Sequence, residues 1–148
     1  MPFSTPISIR NAPYGSADYA AAVGLRRAVL RTPLGLDFDP ADLAREAADT
    51  HLTAWRGDTL VGAVVMTPYS DGAVKLRQMA VADDARGTGV GAALLKAFEG
   101  LARIRGLSQI VLAARQTAQA FYARHGYTTD GVVFEEVTLP HVRMEKAL

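Results

Sequence analysis

The sequence has no cysteine, which excludes disulfide frameworks, thiolate zinc sites and cysteine nucleophiles. It also lacks a long apolar run, because the longest, at 60–66, is far shorter than the roughly 18 residues that a membrane helix needs. The N-terminal residues 1–6 have neither the basic nor the apolar block of a secretory signal peptide. We therefore expect a cytoplasmic protein with no membrane partner.

An excess of one charge is likewise missing, since 16 basic and 15 acidic side chains give a net charge of +1. Binding nucleic acid by phosphate neutralisation requires a clear excess of lysine and arginine, so nucleic acid is not expected as a partner. The chain has 148 residues, of which 49% are hydrophobic. This size predicts one domain over 1–148 whose core forms without a structural metal.

The hydrophobic pattern changes period along the chain, which indicates an α+β fold. A short strand at 7–10 precedes two helices, one capped by Ser16 and ending before Pro33, the other starting at Asp39-Pro40 and reaching about 48. Strands are then predicted at 51–55, 59–66 and 73–81, followed by a helix at 89–105, a strand at 109–113, a helix at 116–125 and short strands at 127–129, 132–137 and 141–144. The three central strands predict an antiparallel meander, and the later strand, helix, strand order predicts a right-handed parallel crossover.

A glycine-rich segment, Arg86-Gly-Thr-Gly-Val-Gly-Ala92, lies between the predicted strand and helix of that crossover. Three glycines in five residues leave consecutive backbone N–H groups free to face one anion at a helix N-terminus. The segment therefore indicates a phosphate-binding loop, with a plain tight turn as the alternative.

Two common nucleotide-binding motifs fit this loop poorly. A nucleoside triphosphate loop requires Lys followed by Ser or Thr, and that pair occurs nowhere in the chain. Gly87, Gly89 and Ala92 satisfy the spacing of the dinucleotide fingerprint, but no acidic residue lies in 107–111, where that fingerprint requires one. A nicotinamide-dependent enzyme is therefore disfavoured.

Three segments together resemble the GNAT superfamily of acyl-CoA-dependent N-acetyltransferases: Gln78-Met-Ala-Val81, Arg86-Gly-Thr-Gly-Val-Gly91 and Phe121-Tyr-Ala-Arg-His-Gly-Tyr127. The segment from Phe134 to Val142 is similar to the ElaA-like branch of that superfamily. The resemblance implies a mixed, mostly antiparallel central sheet flanked by helices. It also implies acetyl-CoA as cosubstrate and no metal.

The resemblance further implies which residues contact coenzyme A. The pyrophosphate would lie on the backbone amides of the loop, beside the charge of Arg86; the loop residues are Gly87, Thr88, Gly89, Val90, Gly91 and Ala92. The backbone of Met79 and Val81 would pair with the pantetheine arm where the sheet splays, at 80–81. Strand alternation places both side chains on the face of Lys75 and Arg77.

The same resemblance implies that Tyr122 protonates or hydrogen-bonds the coenzyme-A sulfur, and a buried core tyrosine is the alternative. Candidates for the base that deprotonates the acceptor amine are Glu135, Glu136, His141 and His51. The ElaA-like pattern places Glu136 and His141 near the acceptor. The alternatives are solvated hairpin charges with an edge-strand histidine, and a structural role for His51.

One departure from the family concerns Arg115, which stands where many members have asparagine. It is a candidate for binding a phosphate or carboxylate of a ligand. Three further arginines, Arg26, Arg27 and Arg31, recur at helical spacing. They form either a solvated helix face or a site for an acidic or phosphorylated acceptor.

Together these features predict an N-acetyltransferase that moves an acetyl group to a primary amine of a small molecule or peptide. Without cysteine or a Gly-x-Ser-x-Gly elbow, we expect direct attack in a ternary complex and no acyl-enzyme intermediate. A non-catalytic acyl-CoA-binding sensor is the alternative. The sequence does not fix the oligomeric state, although homodimers are common in similar proteins.

Overall fold

The computed structural model describes residues 5–148, which form seven strands and four α-helices. In chain order these are β1 (Ser8–Asn11), α1 (Ala17–Leu30), α2 (Pro40–Arg45), β2 (Thr50–Arg56), β3 (Thr59–Ser70), β4 (Ala73–Val81), α3 (Val90–Ile104), β5 (Gln109–Arg115), α4 (Gln119–Arg124), β6 (Val133–Glu136) and β7 (Leu139–Ala147). Short 3₁₀ turns occur at Thr32–Leu34, Glu46–Ala48, Asp83–Ala85 and Gln116–Ala118.

All seven strands belong to one sheet, in the order β1-β2-β3-β4-β5-β7-β6. Only the central pair, β4 and β5, is parallel, and α3 makes the crossover between them. The other neighbours pair antiparallel. The predicted α+β class, the meander and the parallel crossover are therefore confirmed.

The first two helices begin at the capping residues that the sequence indicates. The Ser16 hydroxyl accepts a hydrogen bond from the Tyr19 N–H at 3.1 Å, and Asp39 accepts one from the Ala41 N–H at 2.9 Å. Each cap satisfies a backbone donor that the first helical turn leaves unpaired. The second helix is shorter than predicted, because a 3₁₀ turn replaces it after Arg45.

The two long helices cover opposite faces of the sheet. Tyr19 of α1 packs its ring edge-on against His51 of β2 at 4.7 Å, whereas Leu52, the next residue of β2, belongs to the main core with Phe98 of α3. Neighbouring residues of a strand point to opposite faces, so α1 and α3 lie on different sides. None of the helices within residues 5–148 combines the length and hydrophobicity that crossing a bilayer requires.

A β-bulge interrupts β4. Val65 of β3 is opposite Arg77 and Ala63 is opposite Ala80, so Gln78 and Met79 together face a single β3 residue. Gln78 has a φ of 53°, in the left-handed region that non-glycine residues rarely adopt. The extra residue shifts the alternation of all side chains that follow it.

This bulge corrects two predictions about β4. Met79 and Val81 pack against the main core that also contains Leu76, and not on the face of Lys75 and Arg77. The parallel pairing with β5 ends at Leu76 opposite Leu112, so the sheet opens earlier than the predicted 80–81. The first prediction assumed an unbroken strand, and the second was what the family resemblance implied.

The chain near the C-terminus also differs from the prediction. Residues 127–129 do not form a strand; only Thr128 makes an isolated bridge, to Glu145 of β7. In the following turn, the Thr129 hydroxyl and the Asp130 carboxylate accept hydrogen bonds from nearby backbone N–H groups. Such local side-chain bonds compete with strand pairing.

Candidate active site

A cleft opens where β4 and β5 separate, with a volume of about 130 Å³. Its lining combines residues from the bulge of β4, the end of β5, helix α4 and the β6–β7 hairpin. They include Gln78, Met79, Arg115, Tyr122, Glu136 and His141. The structure therefore brings the three predicted catalytic residues to one cavity. Met79, which is predicted to contact coenzyme A, lines the same cavity.

Tyr122 contributes its hydroxyl to this cleft from α4. The side chain is buried, and within residues 5–148 the hydroxyl's only hydrogen-bond contact is the Met79 Sδ, at 3.9 Å. Its ring packs edge-on against Phe121 and Tyr127. Burial raises the pKa of Tyr122 above its ordinary value, so the hydroxyl keeps its proton. The residue is thus part of the core and also a proton-bearing donor at the cavity wall.

His141 enters the cleft from β7 and is buried. Its Nδ1 lies 2.9 Å from the Leu139 carbonyl oxygen, which can only accept, so Nδ1 donates. In the neutral ring Nε2 is then the nitrogen with a free lone pair. Nε2 lies 3.8 Å from the Glu136 carboxylate, and the ring stacks on Phe134 at 6.1 Å. His141 and Glu136 form a pair suited to accepting a proton.

The hairpin turn between β6 and β7 fixes the position of this pair. Val137 and Thr138 have φ values of 51° and 64°, which a two-residue turn of this kind requires. Positive φ is strained for a β-branched residue, and such strain concentrates at functional sites. Of the two adjacent glutamates only Glu136 lines the cleft, as expected for neighbours on a strand.

His51 does not reach the cleft, so its candidacy as the base is wrong. The residue is buried under α1, where Nε2 lies 3.0 Å from the Glu46 carbonyl oxygen. The alternative, a structural role for His51, agrees with this environment. The sheet separates it from Tyr122 on α4, because α1 and the α3–α4 layer cover different faces.

The glycine-rich loop leaves the N-terminus of α3 without a side-chain cap. Gly89 occupies the cap position with a φ of 90°, and Gly87 has a φ of 73°. A Cβ atom on either glycine would meet nothing within 4 Å, so the backbone here borders open space. Uncapped N–H groups at a helix N-terminus attract anions, and the segment therefore fits a pyrophosphate.

Other residues of this segment have structural contacts that the sequence did not reveal. The Arg56 guanidinium, at the end of β2, donates to the Thr88 hydroxyl at 2.8 Å and to the Thr88 carbonyl at 2.9 Å. A Cβ on Gly91 would lie 3.3 Å from the Phe121 ring, so this glycine is also needed for packing. Arg86 is exposed and lies 3.4 Å from Asp83. The predicted coenzyme-A contacts of these residues stay predictions.

The family follows from comparison with known proteins. Residues 38–148 match the acetyltransferase (GNAT) domain, which is three quarters of the chain. The chain belongs to the GNAT acetyltransferase family. It is therefore an N-acetyltransferase by family, as its sequence predicted, and this family uses acetyl-CoA. Among residues 5–148 there is no group of three or more His, Asp or Glu side chains placed to bind a metal.

Relatives of this GNAT protein agree with that assignment. It is 33% identical over 102 residues to YjcF, an uncharacterized N-acetyltransferase of Bacillus subtilis, covering 68% of this chain and 72% of the relative. A candidate N-acetyltransferase from Lactobacillus plantarum is 27% identical with a TM-score of 0.84, over 96% of this chain and 98% of the other.

Two further solved structures share the GNAT fold at lower identity. Escherichia coli ElaA is 24% identical with a TM-score of 0.79, over 95% of this chain and 99% of ElaA. A Bacillus subtilis acetyltransferase in complex with CoA is 17% identical with a TM-score of 0.74, over 97% and 99% of the two chains. The ElaA-like fold expected from the sequence is thus found among the solved structures.

The three arginines at the C-terminal end of α1 have different environments, so neither sequence interpretation describes all of them. Arg26 is buried and paired with Glu46, and Arg27 is exposed and lies 2.7 Å from Asp37. Only Arg31 lines the cleft, where it lies beside Arg115 of β5.

Proposed function

We propose that this protein transfers an acetyl group from acetyl-CoA to a primary amine by direct attack in a ternary complex. One observation carries the proposal: the Tyr122 hydroxyl and the His141–Glu136 pair line a single cleft from different elements. The acceptor is a small-molecule or peptide amine. Location in the cytoplasm and a homodimer remain predictions.

Coenzyme-A binding is supported by the free amide groups at the start of α3 and by the opening between β4 and β5. The backbone N–H groups of Gly87, Thr88, Gly89, Val90, Gly91 and Ala92 would hold the pyrophosphate, with Arg86 adjacent. Beyond Leu76, no strand among residues 5–148 pairs with β4 on its β5 side, so the backbone of Met79 and Val81 is available to the pantetheine arm. Acetyl-CoA supplies an activated thioester when it is bound.

The proton steps are assigned to residues of the cleft. An alkyl amine is mostly protonated near pH 7, so Nε2 of His141, assisted by the Glu136 carboxylate, accepts its proton. The neutral amine adds to the thioester carbonyl, the carbon–sulfur bond breaks and the nitrogen releases its surplus proton, so that the products are the amide and the free thiol of coenzyme A. The Tyr122 hydroxyl donates a hydrogen bond to the departing sulfur, a role that suits a phenol whose pKa is raised by burial.

Replacement of Tyr122 by Phe tests this assignment. We expect Tyr122→Phe to lower kcat by about 10²-fold with little change in the KM for acetyl-CoA, measured as thiol release. Tyr127→Phe is the matched control, because this buried tyrosine bonds Glu99 at 2.8 Å and lies outside the cleft lining. Equal rates for Tyr122→Phe and the parent would remove Tyr122 from the mechanism.

The sensor alternative gives a different result in the same assays. Acetyl-CoA should raise the melting temperature and NADH should not, because only a ligand that binds the native state stabilises it. Stabilisation by acetyl-CoA without thiol release, across a panel of polyamines, amino sugars, amino acids, aminoglycosides and peptides, would indicate a sensor.

In an enzyme, Glu136→Gln should weaken the rise of the reaction rate with pH.

A further inference from the structure

Two arginine side chains meet at one backbone carbonyl in the cleft. Arg31 follows the last residue of α1, and Arg115 ends β5. Arg31 Nη1 donates to the Leu30 carbonyl oxygen at 3.2 Å, and Arg115 Nη2 donates to the same oxygen at 2.8 Å. Both residues are half-buried and line the cavity that contains Tyr122.

Neither of these guanidinium groups has a carboxylate within 4.0 Å among residues 5–148. Neighbouring arginines differ in this respect, because Arg26 is paired with Glu46, Arg27 with Asp37 and Arg77 with Asp49. One carbonyl oxygen uses only a small part of the ten N–H donors that two guanidinium groups carry. Among the described residues, the cleft therefore contains two positive charges that no carboxylate pairs with directly.

Burial and the charge of another arginine act on each of the two groups. Burial lowers the pKa of Arg31, and the nearby charge of Arg115 lowers it further. Burial also lowers the pKa of Arg115, together with the charge of Arg86. Two half-buried like charges are unfavourable unless an anion compensates them. A bound carboxylate or phosphate would do so, and the planar fork of arginine matches either group.

The same cavity carries the opposite charge on another wall. Glu136 lines it from β6, beside the Nε2 nitrogen of His141, and its charge is felt at Arg31. A molecule that fits this pattern is negative at one end and an ammonium at the other. With about 130 Å³ available, the cavity admits a small molecule of that kind.

We propose that the acceptor is an amino acid or a similar small amine that carries an anionic group. Arg31 and Arg115 bind its carboxylate, and the amine then lies beside Glu136 and His141. This inference rests on the proposed function, because only a transferase has an acceptor. Binding of the amino acid can nevertheless be measured without turnover.

Calorimetry on the CoA-loaded protein tests the binding site apart from the chemistry. The probes are the common L-amino acids, each compared with its carboxamide, which keeps the amine and removes the anion. We expect at least one amino acid to bind about tenfold or more tightly than its amide, since a charged hydrogen-bond partner is lost. Equal affinity for each pair, or no binding by any amino acid, overturns the proposal.

Arginine variants identify the residues responsible. Arg31→Gln and Arg115→Gln should each weaken amino-acid binding by about tenfold or more while changing CoA affinity less than about twofold. Arg27→Gln is the matched control, because this arginine lies one turn before Arg31, in α1, and is already paired with Asp37. Melting temperatures of the free variants verify folding.

The outcomes separate this inference from the proposed function. If the variants bind CoA more weakly and amino acids as tightly as the parent does, the two arginines bind the coenzyme phosphates and the inference is wrong. If amino acids bind as expected but release no thiol from acetyl-CoA, the transferase proposal fails and the binding site stands. If only amines without an anionic group cause thiol release from acetyl-CoA, the transferase proposal stands and the anionic acceptor is rejected.

Discussion

Arg26 donates two hydrogen bonds to the amide oxygen of Gln78, from Nε at 2.8 Å and from Nη2 at 2.5 Å. The same guanidinium, which is buried, also donates to both carboxylate oxygens of Glu46. Gln78 is the left-handed residue of the β4 bulge and lines the cleft. A buried ion pair under α1 is thereby connected to the wall of the active site.

Two substitutions at Gln78 separate this contact from the backbone strain. Gln78→Ala removes the acceptor and leaves buried Arg26 donors unpaired, which we expect to lower the free energy of unfolding by about 1–3 kcal/mol. Gln78→Gly removes the same contact but relieves the positive φ, so it should be about 1 kcal/mol more stable than the alanine variant. Urea unfolding measures both differences. If the alanine and glycine variants are equally stable, strain at φ 53° is negligible.

The ion pair beneath the bulge should make stability depend on pH. Burial alone would raise the pKa of Glu46, but hydrogen bonds and charge from Arg26, with the Tyr19 hydroxyl, outweigh it and lower the pKa below its ordinary value of 4.5. The folded pKa is depressed, so this contribution is present above about pH 4.5 and is lost as the pH falls through the folded value.

Glu46→Gln tests the sign of this dependence. The variant leaves the Arg26 charge buried and uncompensated, so we expect about 3 kcal/mol less stability at pH 7. In acid the parent loses the contribution and the variant has none to lose, so the difference between them should narrow below pH 4.5. Urea titrations at pH 7 and pH 3 compare the two. A difference that stays constant would assign the effect to packing.

Arg56 provides a test of the glycine-rich loop from outside the cleft. Arg56→Gln removes two hydrogen bonds that fix Thr88, so the loop amides lose part of their preorganisation. We expect the Kd for coenzyme A to rise by about five- to tenfold, measured by calorimetry, with little change in turnover at saturation. Arg10→Gln is the control, since Arg10 is nearby and exposed, and its guanidinium contacts the Gly57 carbonyl and the Trp55 ring, not Thr88, among residues 5–148. An equal loss of coenzyme-A affinity in both variants would indicate a general effect of charge.

Glycine is required at one position of β3 and replaceable at one position of α3. A Cβ on Gly62 would lie 2.7 Å from Val90 and 2.8 Å from Leu94, both in the core, so Gly62→Ala should destabilise by about 1–3 kcal/mol. A Cβ on Gly100 meets nothing within 4 Å, and Gly100→Ala should stabilise by about 0.5–1 kcal/mol. Thermal unfolding distinguishes the two signs. A stable Gly62→Ala variant would mean that α3 shifts freely on the sheet.

Sequence reasoning succeeded where the cause lies within a few neighbouring residues. Ser16 and Asp39 cap helices through their own first turns, and Gly89 marks the start of α3 because its φ of 90° excludes most other residues. Glu136 and His141 were placed together by family resemblance, and hairpin pairing brings them to the same cleft.

Other parts of the site depend on contacts between residues far apart in the chain. The bulge at Gln78 is stabilised by Arg26, which is 52 residues away, and the loop at Thr88 is held by Arg56, which is 32 residues away. Nothing in the local pattern around Gln78 indicates a left-handed backbone. The convergence of Arg31 and Arg115 likewise depends on where α1 ends relative to β5.

The opening between β4 and β5 also bears on self-association. Unpaired strand edges at the margin of a sheet recruit strands from other chains and promote aggregation. Here backbone groups become unpaired in the middle of the sheet, with α1 and α3 packed against β4 from opposite faces. The arm of coenzyme A is proposed to bind in this gap, whereas a strand of another molecule would have to pass between two helices. The opening thus leaves backbone groups unpaired between two covered faces, and not at the edges of the sheet, which are β1 and β6.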